Sequence, residues 1–463
     1  MSVINYRRSD ARIPSHSVRG GAATANRGNQ DRRTENASRE DFLGAPKPTV
    51  AVLATMNTKS KEALFVADVL ARAGASPWIV DLSMKPHNVP DADVTGAQVA
   101  EAAGSSWLAL DERTRREAAA VMIEGGTRIL LEKVAKGEVA GAIGLGGANG
   151  TDLVCSILRA LPYLVPKIMI SAVAGTAAVQ WCVAESDICM YPSIGDVSLN
   201  RVTKVVMENA AWAAAMEARN WAARREVKSA DLPLLAVSSF GGTAACVDRV
   251  SQRIETLGYE VIQFHASGVG GRSLERLAST GDLAGVIDIT THELADFVAD
   301  GVYSAGESRL TAAGAAGLPQ VIVPGAIDHI NFWAGQVLPE RYLDREFFRY
   351  NAQNLLMRTN AREFELLGRA MAQRLNAAKG PVRVLIPLEG FSEHTKRRAQ
   401  DLAGNDRGPW RRPEEYSAFT TALRASLNSR VGVQELPLHV NDPRFADACV
   451  DAFVQISKEV RPR

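Results

Sequence analysis

GEVAGAIGL, residues Gly137–Leu145, comes back as GDLAGVIDI at Gly281–Ile289. Gly137, Ala140, Gly141 and Ile143 recur unchanged as Gly281, Ala284, Gly285 and Ile287, and most other positions exchange like for like. Each copy is a short apolar run behind a turn glycine, the pattern of a strand buried on both faces of a parallel sheet. Each leads into a polar loop and then apolar residues at helical spacing. These are Val154, Ile157, Leu158 and Leu161 after the first copy, and Leu294, Phe297 and Val298 after the second. A further strand follows in each case, Lys167–Ile170 and Gln320–Val323. Two similar β-α-β units in tandem account for such a repeat.

The openings of the two halves agree with this. Thr49–Ala54 (TVAVLA) reads as a buried strand, Ala63, Val66, Ala67, Leu70 and Ala71 as a helix that Gly74 stops, and Trp78–Leu82 as the next strand. Leu234–Ser238, a helix marked by Val247, Val250, Ile254 and Leu257 and stopped by Gly258, and Glu260–Phe264 repeat the order. An insert from about Ser83 to Lys136, helical from about Asp111, lengthens the first half. A helix over 207–228 links the halves. Later elements are a helix over 361–379, a strand Val382–Pro387, a surface loop Gly404–Pro413 and a last helix over 445–460. Asp442 and Pro443 stand before that helix as N-cap and N1. The fold class is therefore α/β, two tandem Rossmann-like subdomains with mostly parallel sheets, residues 47–228 and 229–463. A disordered extension, residues 1–46, precedes them.

The chain has 463 residues, 53 Lys plus Arg and 52 Asp plus Glu, for a net charge of +1. Residues 1–46 hold eight Arg against five acidic residues, +3, which leaves −2 on the rest. The balance gives no case for nucleic acid. The five cysteines form no CxxC pair, which argues against zinc ribbons and a disulfide framework and for a reducing, cytoplasmic setting. The longest uncharged stretch, Ile168–Ala184, is too short and too polar for a membrane span and reads as a strand, a turn and a helix start.

In an open parallel sheet, ligands bind beyond the carboxyl ends of the strands. Gly144–Thr151 (GLGGANGT) is the sharpest such loop. Its glycines would let a phosphate approach the backbone at a helix N-terminus, or else they make a tight strand–helix turn. It lacks the Lys of a P-loop and the spacing of a dinucleotide fingerprint. Asp152, in the first turn of the helix, calls for a cation beside any phosphate. Thr55, Asn57, Thr58 and Lys59 follow the first strand, with Lys59 as a counter-charge. His265, Gly270, Gly271 and Arg272 belong to a second glycine-rich loop, HASGVGGR. His265, His292, His329 and His394 all follow strands, where groups that titrate near neutrality suit acid/base work. No HExxH or CxxC spacing supports a metal held by the protein alone.

Six blocks occur in order: TMNTKSKE (Thr55–Glu62), GLGGANGT, PSIGDVSLN (Pro192–Asn200), FHASGVGGR (Phe264–Arg272), IDITTHELAD (Ile287–Asp296) and PGAIDHINF (Pro324–Phe332). As a set they resemble the ATP-binding N-terminal domain family of the tomato mosaic virus resistance protein and its bacterial relatives. The resemblance implies two Rossmann-like subdomains, ATP bound with Mg2+, and a homodimer. It places nucleotide contacts at Thr55, Asn57, Lys59, Gly144, Gly146, Gly147, Gly150 and Thr151. Ala148 and Asn149 stand where that family usually has Ser and Gly, and Asn57 where it usually has Asp. The first expectation is thus an ATP-binding cytoplasmic protein. The alternative is an acid/base enzyme of hydrolase or lyase type acting on a small carboxylated or phosphorylated metabolite at the inter-domain cleft. There His265, Glu293 and Asp328 would move protons, and Gly270, Gly271 and Arg272 would hold the anion. Neither reading involves nucleic acid or a membrane.

Overall fold

β-branched and alanine-rich runs build the first sheet: β1 (Thr49–Ala54), β2 (Ser76–Asp81), β3 (Gly141–Gly146), β4 (Lys167–Ser171) and β5 (Cys189–Pro192). They lie in the order β2-β1-β3-β4-β5, with every pairing parallel. The second sheet uses β6 (Leu234–Ser239), β7 (Glu260–His265), β8 (Leu283–Thr290), β9 (Gln320–Gly325), β13 (Val382–Pro387) and β16 (Gly432–Leu436). Its order is β16-β13-β9-β8-β6-β7, again all parallel. Each sheet has its second strand outside its first and its third inside. Each therefore has a topological switch point, between β1 and β3 and between β6 and β8, where a crevice opens at the carboxyl edge. This computed structural model describes residues 47–87, 91–226 and 232–459. The expected disorder of 1–46 and the expected helix ends at 228 and 460 fall outside the described residues. From Pro48 onward the chain forms one compact unit.

Both faces of the first sheet are covered, which explains its uninterrupted apolar strands. On one face, helices Met56–Arg72 and Thr203–Glu226 bury Val66, Leu70, Met207 and Ala211 against Val50 and Val52. On the other, helices Arg115–Ala135 and Ala148–Ala160 bury Met122, Leu130, Val154 and Ile157 against Ala51 and Leu53. The helix expected to link the halves starts at Thr203 and packs along the first sheet through the buried Ala210, Ala211, Ala214, Ala215 and Ala218. Gly74 and Gly258 take φ of +82° and +84°, the left-handed cap expected of them. Asp442 accepts from the Arg444 backbone N–H, with Pro443 at the first helical position, as expected.

Two expectations are corrected. His329 and Asn331 do not sit in a loop, because His329–Trp333 is strand β10. It opens a third, antiparallel sheet with β11 (Phe347–Arg349), β12 (Asn354–Arg358), β14 (Arg398–Gln400) and β15 (Asp406–Pro409), in the order β10-β12-β11-β14-β15. The stretch Gly404–Pro413 is likewise not all loop, since β15 pairs there with β14. Phe347, Leu355 and Met357 of this sheet share a core with Phe364 and Leu367 of helix Ala361–Asn376 and with Phe419 of helix Pro413–Ser426. The added sheet thereby stands over the carboxyl end of β9.

Candidate functional site

At the first switch point the expected loop Gly144–Thr151 is corrected: Gly144 and Gly146 end strand β3, Gly147 is the N-cap, and Gly150 lies in the first turn of helix Ala148–Ala160, and these glycines are of two kinds. A Cβ on Gly144 would lie 2.2 Å from Val154 Cγ1, and one on Gly146 would lie 2.8 Å from Gly150 Cα. These two glycines let the helix lie against its strand. A Cβ on Gly147 or Gly150 would meet nothing closer than 3.8 Å, and neither residue has a positive φ. Packing and backbone conformation therefore leave the choice of glycine at 147 and 150 unexplained, while a ligand close to the backbone explains it.

The other residues expected to touch a nucleotide are partly occupied. Thr151 is buried, with Oγ1 2.7 Å from Ser171 Oγ, so it braces the loop from behind. The Lys59 ammonium donates to the Val197 carbonyl. That ties the start of helix Met56–Arg72 to residues 196–197, and a Cβ on Gly147 would meet Asp196 Oδ1 at 3.8 Å. Asp81 Oδ1 accepts from the Met56 N–H at 3.1 Å, and Ser83 Oγ from the Asn57 N–H at 3.0 Å. The first helix thus has its amino end capped from within. Asn57 Oδ1 accepts from Ser83 at 3.2 Å, and Thr55 Oγ1 lies 2.9 Å from Thr58 Oγ1. Beside them opens a cavity of about 400 Å³, lined by Thr55, Asn57 and Thr58 and by three cations that sequence reasoning missed, Lys85, Arg113 and Arg115. Arg113 and Arg115 lie in the insert, far along the chain from any strand end, and Lys85, four residues past β2, stands in no motif.

The second glycine loop is filled by the protein itself. Glu293 Oε1 accepts from the Gly268 N–H at 2.7 Å and the Gly271 N–H at 3.0 Å. Its other oxygen meets Arg309 Nε at 2.6 Å. Arg309 is fully buried and also reaches both oxygens of Asp288 (2.5 and 2.7 Å) and Glu275 (3.3 Å). Burial opposes the charge on Arg309, but Asp288 and Glu293 hold its pKa well above the usual value. Burial raises the Glu275 pKa despite Arg309. The expectation of an anion nest at Gly270 and Gly271 is therefore corrected: the anion in this loop is the chain's own carboxylate, held by the Gly268 and Gly271 amides. Glu293 is in turn committed to closing this loop. A Cβ on Gly270 would lie 1.8 Å from the His265 carbonyl oxygen, so that glycine serves the turn. Arg272 faces Glu185 at 3.5 Å and donates to the Ser304 carbonyl at 3.3 Å. It joins the two halves instead of facing a ligand.

Around the second switch point the imidazoles do converge. Phe240, half-buried just after β6, has His265 on its exposed side at 5.2 Å between ring centroids and His292 on its buried side at 4.2 Å. His329 lies 5.8 Å from His292, and His394 lies 5.1 Å from His329. Asp328 is fully buried and receives Ser392 Oγ at 2.8 Å and Tyr416 OH at 3.3 Å, with His329 Nδ1 at 3.2 Å. Burial would raise its pKa, but the hydrogen bond and charge of His329 win and lower it. Asp296 differs. Burial pushes it up to about 8, and hydrogen bonds from the Asn331 side chain (2.9 Å) and N–H (2.7 Å) do not offset this. Of the residues expected to do acid/base work, Asp328 joins the cluster, His265 stands outside the Phe240 ring, and Glu293 belongs to the Arg309 network. Among the described residues, no three His, Cys, Asp or Glu side chains are arranged to hold a metal ion. No helix among them is long and apolar enough to cross a membrane.

Comparison with known proteins gives the following. Residues 48–222 match the family described as Uncharacterised protein family (UPF0261) N-terminal domain, and residues 232–457 match its C-terminal domain. A UPF0261 protein of Rhizobium meliloti is 37% identical over 412 residues, covering 88% of this chain and 99% of that one. The ToMV resistance protein Tm-1 of Solanum lycopersicum is 38% identical over 328 residues, 70% of this chain and 42% of that protein. A solved structure of UDP-N-acetylglucosamine 2-epimerase from Rickettsia bellii aligns over 55% of this chain and 77% of its own, at 8% identity and a TM-score of 0.22.

Proposed function

The chain belongs to the UPF0261 family, and from that premise we propose that it is a nucleotide-binding protein that holds ATP with Mg2+ at the edge of its first sheet. The observation that carries this reading is the pair Gly147 and Gly150, bare of side chains without any need from packing or φ. They sit where amide groups and the positive end of helix Ala148–Ala160 favour phosphate. Lys85, 3.4 Å from Asp111, and Arg113 and Arg115 supply positive charge in the cavity at the end of β1, where Thr55 and Asn57 already stand. Asp152 and Asp196 flank the loop and would repel a bare phosphate, which fits a nucleotide that arrives with its metal. Gly144, Gly146 and Thr151 keep the loop's shape, and Lys59 anchors its neighbour. The proposal extends to two tandem subdomains, residues 47–228 and 229–463, and to a cytoplasmic homodimer. Val205, Trp212 and Met216, exposed at one-face spacing along helix Thr203–Glu226, support the dimer.

Thermal unfolding with and without Mg-ATP tests the reading. A ligand at a hundred times its Kd stabilises by about 2.7 kcal/mol. The stabilisation is expected in the parent chain and absent in Gly150→Val, whose Cβ would find its nearest neighbour at 3.8 Å. No stabilisation of the parent chain, or equal stabilisation of both, would overturn the assignment.

A further inference from the structure

The nucleotide reading leaves unused three buried imidazoles that neighbour one another, His292 beside Phe240 and then His329 and His394. His292, His329 and His394 are all at most 2% exposed. His329 Nδ1 faces Asp328 Oδ1 at 3.2 Å. Ser392 and Tyr416 hold the other carboxylate oxygen, so the carboxylate is fixed before it fixes the ring. An ionised carboxylate only accepts, so Nδ1 carries a proton, and in the neutral ring Nε2 carries the lone pair. That Nε2 is buried and has no hydrogen-bond partner within the protein. The same holds for His394 Nδ1 and for both nitrogens of His292. Buried polar atoms are rarely left unpaired, and these four belong to rings that neighbour one another.

The surroundings limit what those atoms could take. Burial drives the His292 pKa well below the usual value, with the charges of His329 and Arg309 adding to it. Burial likewise lowers His394 to about 4. Each of these two rings is therefore neutral at pH 7 and offers one N–H and one lone pair. The charged group hydrogen-bonded within the cluster is the Asp328 carboxylate, on His329, and it disfavours an anionic ligand there. Phe240 stands 4.2 Å from His292 and 6.2 Å from His329 between ring centroids, and Phe348, Tyr350 and Trp410 pack around His394.

We propose that this cluster is a proton-transfer site for a small uncharged hydroxy-ketone, with His329 Nε2 as the base, Asp328 as its positioning residue, and His292 and His394 as hydrogen-bond partners of the ligand oxygens. Nε2 removes a proton from the carbon beside the carbonyl. The C–H pair becomes the C=C bond of the enolate, and the carbonyl π pair moves to oxygen, which a neutral imidazole N–H stabilises. The imidazolium then returns a proton to the carbon, so no oxidant, reductant or co-reactant takes part. The site is separate from the nucleotide loop and stands or falls independently of it.

The test is solvent-deuterium incorporation, followed by proton NMR, with the full chain in D2O and dihydroxyacetone as probe. Dihydroxyacetone phosphate and pyruvate serve as charged counterparts. Exchange of dihydroxyacetone is expected at least tenfold above buffer, with little for the charged probes. A general base contributes about 10²–10⁴-fold, so His329→Gln should bring the rate to the buffer level. Asp328→Asn should slow exchange and shift the His329 ring 15N signals away from a single Nδ1–H tautomer, which a merely structural carboxylate would not do. In the parent chain those signals should show Nε2 unprotonated at pH 7, a readout independent of whether any variant folds. Exchange at the buffer rate, exchange unchanged in His329→Gln, charged probes exchanging as fast as dihydroxyacetone, or a protonated Nε2 would each overturn the proposal.

Discussion

Gly271→Ala places a methyl group where the Glu293 carboxylate lies. The added carbon would sit 2.2 Å from Oε2 and 2.6 Å from both Cδ and Oε1. That is roughly 1 Å short of ordinary van der Waals contact, so the carboxylate must move by about that much. Its bonds to the Gly268 N–H (2.7 Å) and the Gly271 N–H (3.0 Å) would lengthen past useful range, and its pairing with Arg309 (2.6 Å) would be disturbed. Hydrogen bonds to a charged group are worth about 1.5–3 kcal/mol each. Disrupting a buried ion pair costs about 3–5 kcal/mol. Arg309 keeps Asp288 on two hydrogen bonds, so the expected loss is about 3 kcal/mol. Equilibrium urea unfolding measures it. Near- and far-ultraviolet circular dichroism should be followed separately, since a chain with two sheets need not unfold in one step. Gly150→Ala, whose added carbon finds its nearest neighbour at 3.8 Å, is the control and should lose nothing, gaining up to about 1 kcal/mol because alanine is the better helix former. Equal losses in the two variants would refute the distinction between a glycine loop closed by its own carboxylate and one left open.

Two other outcomes follow from the same packing. Asp296, with a folded pKa near 8 against about 3.9 unfolded, holds its proton in the folded chain after the unfolded chain has lost it. Stability from this residue is therefore full below pH 4 and declines as pH rises toward 8, by at most about 1.4 kcal/mol per unit. Asp296→Asn does not titrate, and Asn331, whose Oδ1 is unpaired, can turn its amide to accept from the new side chain. The Tm of the variant relative to the parent should rise between pH 5 and 8, and a constant difference would refute the buried-acid reading. Gly144→Ala drives a carbon against Val154 Cγ1 at 2.2 Å and should cost about 1–3 kcal/mol. Adding Val154→Ala should recover part of that in a double-mutant cycle, whereas simple additivity would show that the two sites do not touch.

Much of the fold was legible because buried parallel strands write themselves as short apolar runs. Thr49–Ala54 and Val382–Pro387 agree with their strands residue for residue, and the paired runs ending at Leu145 and Ile289 lead into β3 and β8. The antiparallel sheet was not legible. β10 carries His329 and Asn331, β15 carries Asp406 and Arg407, and three of its five strands have four residues or fewer, so no alternation stands out. At the site, position beyond a strand end drew attention to Gly147, Gly150, Asp328, His329 and His394. It could not say which side chains turn inward upon one another. Glu293 folds onto amides more than twenty residues earlier in the chain. Arg309, which neutralises it, lies in an unremarkable polar stretch between β8 and β9. Asp81 and Ser83, which cap the first helix, belong to the end of β2 and the loop behind it and carry no motif.

The central claim is that the loop at Gly147–Gly150 receives a nucleotide's phosphates. Calorimetric titration of Mg-ATP into the full chain, alongside Gly150→Val at the same concentration, tests it most directly. The account predicts saturable binding to the parent chain and none to the variant while the variant's unfolding transition is unmoved. Binding absent from the parent chain, or undiminished in the variant, would contradict it.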